Sequence, residues 1–214
     1  FTVDVTKGNT KAVLTVEKVG KVDLPASDIF FGNDKMEVTD TDIYKSEQVF
    51  TQGQMITVTG IDNLNEWWID PDFFEKQSDG ALKFLPINGD YRVTANAVLK
   101  YFSVMALKDG KPAKLQDDGT GAIWAIGKGI GKPSVASSEV GWEPGKALCL
   151  AQVAPKKYQL TLKAGETLKT SGDPEVISFK FFHQNDWGGE FGNYANSILV
   201  EQLKLADSGN LEMQ

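Results

Sequence analysis

Apolar and polar residues alternate with a period of two along most of this chain, in runs too short for helices. Phe1 to Val5 alternates, Lys7 to Asn9 supplies turn residues, and Ala12 to Val16 alternates again, the pattern of a β-hairpin. A hairpin alone is not stable in water, so this one needs something to pack on. Short strands are predicted at Ile29 to Phe31 and Lys35 to Val38, then at Met55 to Thr59, Leu82 to Leu85 and Tyr91 to Thr94. Further runs follow at Ala122 to Ile126, Tyr158 to Lys163 and Ile177 to Phe182. Each is fenced by Gly, Asn, Asp or Pro, which favours an antiparallel sandwich or barrel over alternating strands and helices. One helical turn is expected over Asp70 to Glu75, with Pro71 at its first position.

The order of these elements recurs. Met55 to Gly60 is answered by Ala122 to Gly127, a tryptophan-bearing loop follows each, and strands centred on Lys83 and Lys180 come later. The reading is all-β: two tandem antiparallel β-sandwiches over residues 21–112 and 117–214, with residues 1–20 as a separate closing hairpin. The second copy looks incomplete at its end. The hairpin 1–20 therefore either closes a preceding module or pairs with the last one.

Composition narrows the function. With 22 Lys and Arg against 29 Asp and Glu, the net charge is −7, which argues against nucleic acid as a partner. Cys149 is the sole cysteine, so there is no intrachain disulfide and no zinc-cysteine site. Its apolar neighbours mark it as a buried thiol. No run approaches the length of a membrane-spanning helix.

Several phrases then point to a family. Ala122 to Gly127, Val140 to Trp142, Tyr158 to Leu162 with Ala164 to Glu166, and Phe179 to Phe181 with Asp186 and Trp187 resemble the surface glycan-binding lipoproteins of the SusE and SusF type. Those proteins serve polysaccharide utilisation in Gram-negative gut bacteria. The likeness is best over residues 121–212 and weaker over 48–107. It implies sandwiches of the immunoglobulin or carbohydrate-binding-module kind and no catalytic activity. It also implies a cell-surface location at the outer membrane through a lipid anchor outside this chain, and an outer-membrane transporter complex as partner. The platform of two aromatic side chains carries over to Trp142 and Trp187, 45 positions apart.

The residue types suit that role. A pyranose ring offers a C–H face for a flat aromatic ring, and its hydroxyls need fixed donors and acceptors. His183, Gln184, Asn185 and Asp186 precede Trp187, and Gly188 and Gly189 follow it. Lys180 in the adjoining strand and Trp67 in the first module complete the candidate set. Trp124 alternates within a strand and reads as core. Of Trp67 and Trp68, one faces in and the other out if they lie in a strand. The competing readings are a structural or adhesion spacer with buried tryptophans, and a glycosidase using Asp70, Asp72 and Glu75 or Asp186 and Glu190. The bland reading of those acids is that they are solvated or turn-forming. No cofactor is expected; a structural Ca2+ would draw on Asp40, Asp42, Asp70, Asp72, Asp117 or Asp118. Gly127 to Gly131 lacks the spacing of a nucleotide-binding loop and reads as a turn.

Overall fold

A computed structural model describes residues 2–4, 13–15, 28–135, 138–169, 177–191, 203–206 and 209–213. The chain is all-β, folded as two tandem antiparallel β-sandwiches. Among the described residues the helices are single 3-10 turns, at Leu64–Glu66 and Pro144–Lys146.

In the first module a five-stranded sheet runs in the order Lys111–Pro112, Tyr101–Lys108, Gly89–Asn96, Ile43–Phe50, Glu37–Asp40. Tyr91, Val93 and Ala95 alternate inward along its middle strand, and Phe102 and Val104 do so beside it. Two three-stranded sheets cover that face. One holds Met55–Ile56, Leu82–Phe84 and Phe74–Lys76; the other holds Asp34–Lys35, Phe30–Phe31 and Val58–Thr59. Aromatic rings join the layers, with Phe50 against Phe84 at 4.9 Å and Phe31 against Phe102 at 5.3 Å. The second meets edge to face, at 66°, an arrangement that adds to the area it buries.

The predicted strand Met55 to Thr59 is divided. Met55–Ile56 pairs with Leu82 and Lys83, whereas Val58–Thr59 pairs with Phe30 and Phe31. The run turns a corner between sheets, and Gly60 lets it leave: a Cβ there would lie 1.9 Å from the Asp28 carbonyl oxygen. The expected turn after Asp70 is present, with the Phe74 N–H donating to the Asp70 carbonyl at 2.9 Å, but Phe74 already enters a strand.

The second module centres on a sheet in the order Leu148–Cys149, Trp124–Lys128, Ser178–Phe182, Leu211–Met213, Leu203–Leu205, with Ala151–Ala154 and Lys157–Gln159 as a separate pair. The incomplete ending is corrected here. Leu203–Leu205 and Leu211–Met213 form the module's own closing hairpin, docked on Ser178–Phe182. The N-terminal strands Thr2–Asp4 and Val13–Thr15 pair with each other; the rest of that predicted hairpin lies outside the described residues. The predicted strand Tyr158 to Lys163 stops at Gln159, because the chain then turns to bring Thr161 against Asp72.

Buried side chains from Ile29 to Leu211 form one continuous cluster through both modules. Polar contacts seal the join: the Ile87 N–H donates to the Gln152 carbonyl at 2.8 Å and Gln52 Nε2 to the Val153 carbonyl at 3.1 Å. Trp124 is fully buried, as its alternation predicts, and its Nε1 donates to the Ala113 carbonyl at 2.9 Å.

Candidate functional site

Two turns of the second module carry the tryptophans. The first begins at Val140, which is fully buried and whose N–H donates to the Ile130 carbonyl at 3.0 Å. The Glu143 N–H reaches back to the Val140 carbonyl, and the 3-10 turn Pro144–Lys146 follows. This tight reversal holds Trp142 at φ 61°. Left-handed backbone is unusual for a bulky residue, and such strain of about 1–3 kcal/mol is retained where the surroundings over-determine it.

The second turn leaves the strand Ser178–Phe182 and returns at Glu190, which bridges to Phe182. Inside it the His183 N–H donates to the Gly189 carbonyl at 2.8 Å, Gln184 Nε2 donates to the Trp187 carbonyl at 2.7 Å, and the Trp187 N–H donates to Asp186 Oδ1 at 2.7 Å. Gly188 and Gly189 both take positive φ. The amide-rich segment thus shapes the loop from within.

The two turns bring the predicted pair together. The rings of Trp142 and Trp187 lie 6.4 Å apart with planes inclined by 20°. The edge of Phe182 supports Trp187 at 5.8 Å and 76°. Trp187 is 50% exposed, while Trp142 is half-buried against the core. His183 is exposed and meets Phe191 edge-on at 4.2 Å, and its carbonyl accepts from the Leu115 N–H at 2.8 Å. The loop is therefore pinned to the segment joining the modules. Asn185 Oδ1 is buried without a hydrogen-bond partner among the described residues. Lys180 is engaged with Glu190 Oε2 at 3.0 Å.

Trp67 does not join them. It lies in the first module at 5% exposure, its ring stacked on Phe102 at 4.8 Å. Neither face is open to a ligand, so its place in the candidate set is withdrawn. It follows a 3-10 turn instead of lying in a strand, and Trp68, half-buried, bridges to Tyr101.

The acids at Asp70 and Asp72 are not solvated. Both are buried, at 2% and 0% exposure, at the join of the modules, and Lys132 of the second module, at 5%, lies between them. Lys132 Nζ is 2.9 and 3.0 Å from the two Asp70 oxygens and also contacts Asp72 Oδ2. Asp72 accepts further from Gln159 Nε2 at 2.9 Å, from the Thr161 N–H at 2.7 Å and from the Thr161 hydroxyl. Burial pushes the Asp70 carboxyl above its usual range against the pull of Lys132. Burial acts the same way on Asp72, but the Lys132 charge and the hydrogen bonds of Lys132 and Thr161 outweigh it and hold that carboxyl low. The sequence offered a signal for this cluster only on one side: two acids between Ile69 and Phe73, whereas Lys132 sits between Gly131 and Pro133 as a turn residue would.

As calcium ligands Asp70 and Asp72 are pre-empted, since the ammonium stands where a cation would. Among the described residues no group of three or more His, Cys, Asp or Glu converges. Asp118 Oδ1 is taken by Thr120, and Asp40 Oδ1 by the Thr41 N–H. Gly127 lies in a strand and not in a turn. Cys149 is buried, which pushes its thiol up to about 12.

Residues 9–115, half of the chain, match the family described as a domain of unknown function (DUF5125). Residues 118–214 match a second, described as a domain of unknown function (DUF5121). No curated protein and no solved structure matches the chain.

Proposed function

The chain belongs to the family described as a domain of unknown function (DUF5125), and for it we propose non-catalytic capture of a polysaccharide or oligosaccharide at the cell surface. The observation that carries this reading is the Trp142 and Trp187 pair, two nearly parallel indoles 6.4 Å apart with Trp187 half exposed. Flat apolar faces at a solvent-reaching turn suit the C–H face of a pyranose. The neighbouring His183 and Asp186 side chains reach solvent and orient hydroxyls at its rim.

The resemblance to SusE and SusF type lipoproteins supports the surroundings of the proposal: an anchor outside this chain, the outer membrane as location and a transporter complex as partner. Shallow aromatic sites bind weakly one at a time, so linkage of several sites to one surface raises avidity through effective concentration. The competing spacer reading asks for both indoles to be buried, and the exposure of Trp187 speaks against it.

Native affinity gels cast with a panel of α-glucans and other plant or host glycans test the proposal. Wild type is expected to be retarded by at least one glycan and Trp187→Ala to be retarded less on it. Unretarded migration of wild type on every glycan overturns the reading.

A further inference from the structure

The buried cluster at the join of the modules has the composition and geometry of a self-condensing site. One amine and two carboxyls are enclosed together, each at most 5% exposed. With both carboxyls ionised the group would hold one uncompensated negative charge in a setting where buried charge is costly. A single proton shared by the acids removes it, and the two environments decide where that proton sits. Asp70, whose carboxyl burial pushes up, takes that proton first; Asp72, held low by Lys132 and three donors from Gln159 and Thr161, is the last of the two to protonate. Carboxyls pushed apart in this way take up different roles.

The geometry fits an attack on Asp70. Lys132 Nζ is almost equidistant from its two oxygens, at 2.9 and 3.0 Å, which places the nitrogen opposite Cγ within roughly the 3–3.5 Å of a near-attack arrangement. Rotation about the broad terminal torsion of an aspartate turns the carboxyl face toward it. Asp72 Oδ2 contacts the same nitrogen on another side. The Asp72 N–H donates to Asp70 Oδ1 at 3.0 Å, in position to stabilise an oxyanion on that oxygen. The Phe73 ring lies 5.9 Å from Nζ. A cavity of about 200 Å³ bordered by Asp70, Lys132, Tyr101 and Ser103 adjoins the cluster and can receive a departing water.

We propose that Lys132 and Asp70 condense into an intramolecular isopeptide bond that staples the two modules, with Asp72 as the general base. Asp72 takes a proton from the ammonium, and the amine lone pair attacks Cγ of the protonated Asp70 carboxyl. The tetrahedral adduct expels its hydroxyl, which leaves as water with a proton relayed by Asp72 from the nitrogen. Four protons enter, three on the amine and one on Asp70. Four leave, one on the amide, two on water and one on Asp72. The C–N bond forms, one C–O bond breaks, no oxidant is needed, and a charged buried cluster becomes a neutral one.

Intact-mass measurement of the folded, purified chain tests this. The expected mass is one water below that calculated for the linear chain, and proteolysis is expected to release one branched peptide joining the segments around Asp70 and Lys132. Asp70 precedes Pro71, which has no N–H with which to close a succinimide, so water lost at Asp70 reports the isopeptide. Lys132→Met and Asp72→Asn are both expected at full mass, the second with amine and electrophile still present. A wild-type mass equal to that calculated for the linear chain overturns the proposal. So does a lost water confined to Asp79, Asp109 or Asp118, each followed by glycine, with the Asp70 and Lys132 peptides separate. An Asp72→Asn chain as fully cross-linked as wild type overturns the role given to Asp72. All these readouts are covalent, so none depends on a variant reaching native stability except Asp72→Asn, whose fold is checked by near-ultraviolet circular dichroism.

Discussion

Gly127 stands directly opposite Phe179 in the central strand pair of the second module, so close that a Cβ at position 127 would lie 2.3 Å from the Phe179 Cα. The Ser178 carbonyl oxygen would be 2.3 Å away as well. These are backbone atoms of the neighbouring strand, and no rotamer change relieves them. Gly127→Ala is therefore expected to force the two strands apart and to destabilise the chain by about 3 kcal/mol. Gly145→Ala, where a Cβ would meet nothing within 4 Å, is the matched control. A urea titration of both variants decides: equal midpoints would mean that the strands are not packed as described.

Trp67 and Trp187 separate the core role of an indole from the proposed ligand role. Trp67→Ala removes a ring stacked on Phe102 at 5% exposure, and is expected to cost about 3–5 kcal/mol of stability. Trp187→Ala, half exposed, is expected to leave the urea midpoint almost unmoved. Glycan retention should show the reverse order, with Trp67→Phe retained like wild type in case Trp67→Ala does not fold. A loss of retention in Trp67→Phe at native stability would return Trp67 to the candidate set.

The part of this architecture that sequence exposes is the part set by local alternation. Tyr91, Val93 and Ala95 occupy every second position, and they do face one core. Local pattern fails where the chain changes sheets, because Met55 to Thr59 reads as one uniform β-branched run while its halves serve different partners. It also fails to rank tryptophans. Trp67 and Trp142 both sit among turn residues, and only the long-range arrival of Phe102 over the first decides that it is core. The likeness of Met55 to Gly60 and Ala122 to Gly127 is real in one respect, since each pairs antiparallel with the later strand at Leu82 or Ser178. The surrounding sheets differ, however, and two different families match the two halves. The cluster of Asp70, Asp72 and Lys132 spans 62 and 60 positions. Its residue types are visible in the sequence, but their meeting depends on how one module docks on the other.

Buried ionisable groups at the same join give an alkaline limit to stability. Burial pushes the Cys149 thiol from 9.0 to about 12 and the Tyr158 hydroxyl from 10.0 to about 12, and raises Tyr91 as well. The folded chain therefore keeps protons that the unfolded chain has released. Their contribution is fully present below about pH 9 and is lost progressively as pH rises through the folded values near 12. The urea midpoint is expected to fall between about pH 8 and about pH 10.5, and Cys149→Ala with Tyr158→Phe should flatten that fall. A midpoint unchanged over this interval would mean that these groups are open to solvent. Native Cys149 is likewise expected to resist alkylation at about pH 8 and to react once the chain is denatured.

The tryptophan pair makes a sharper demand on the glycan proposal than either ring alone. Trp142 and Trp187 touch each other as well as any ligand, and Trp187 leans on Phe182, so each ring helps to hold the other in place. Residues in contact couple, and single effects then do not add. Removing either indole is expected to weaken glycan retention by about two- to twelve-fold, the range of one aromatic contact of about 0.5–1.5 kcal/mol. Trp142→Ala with Trp187→Ala together should weaken it by less than the product of the two single effects, because the first truncation already spoils the platform for the second. Dissociation constants from isothermal titration with one retained oligosaccharide supply the cycle. Strict additivity would mean two independent contacts in place of a shared surface, and no effect of Trp142→Ala would leave Trp187 as a lone ring on a loop.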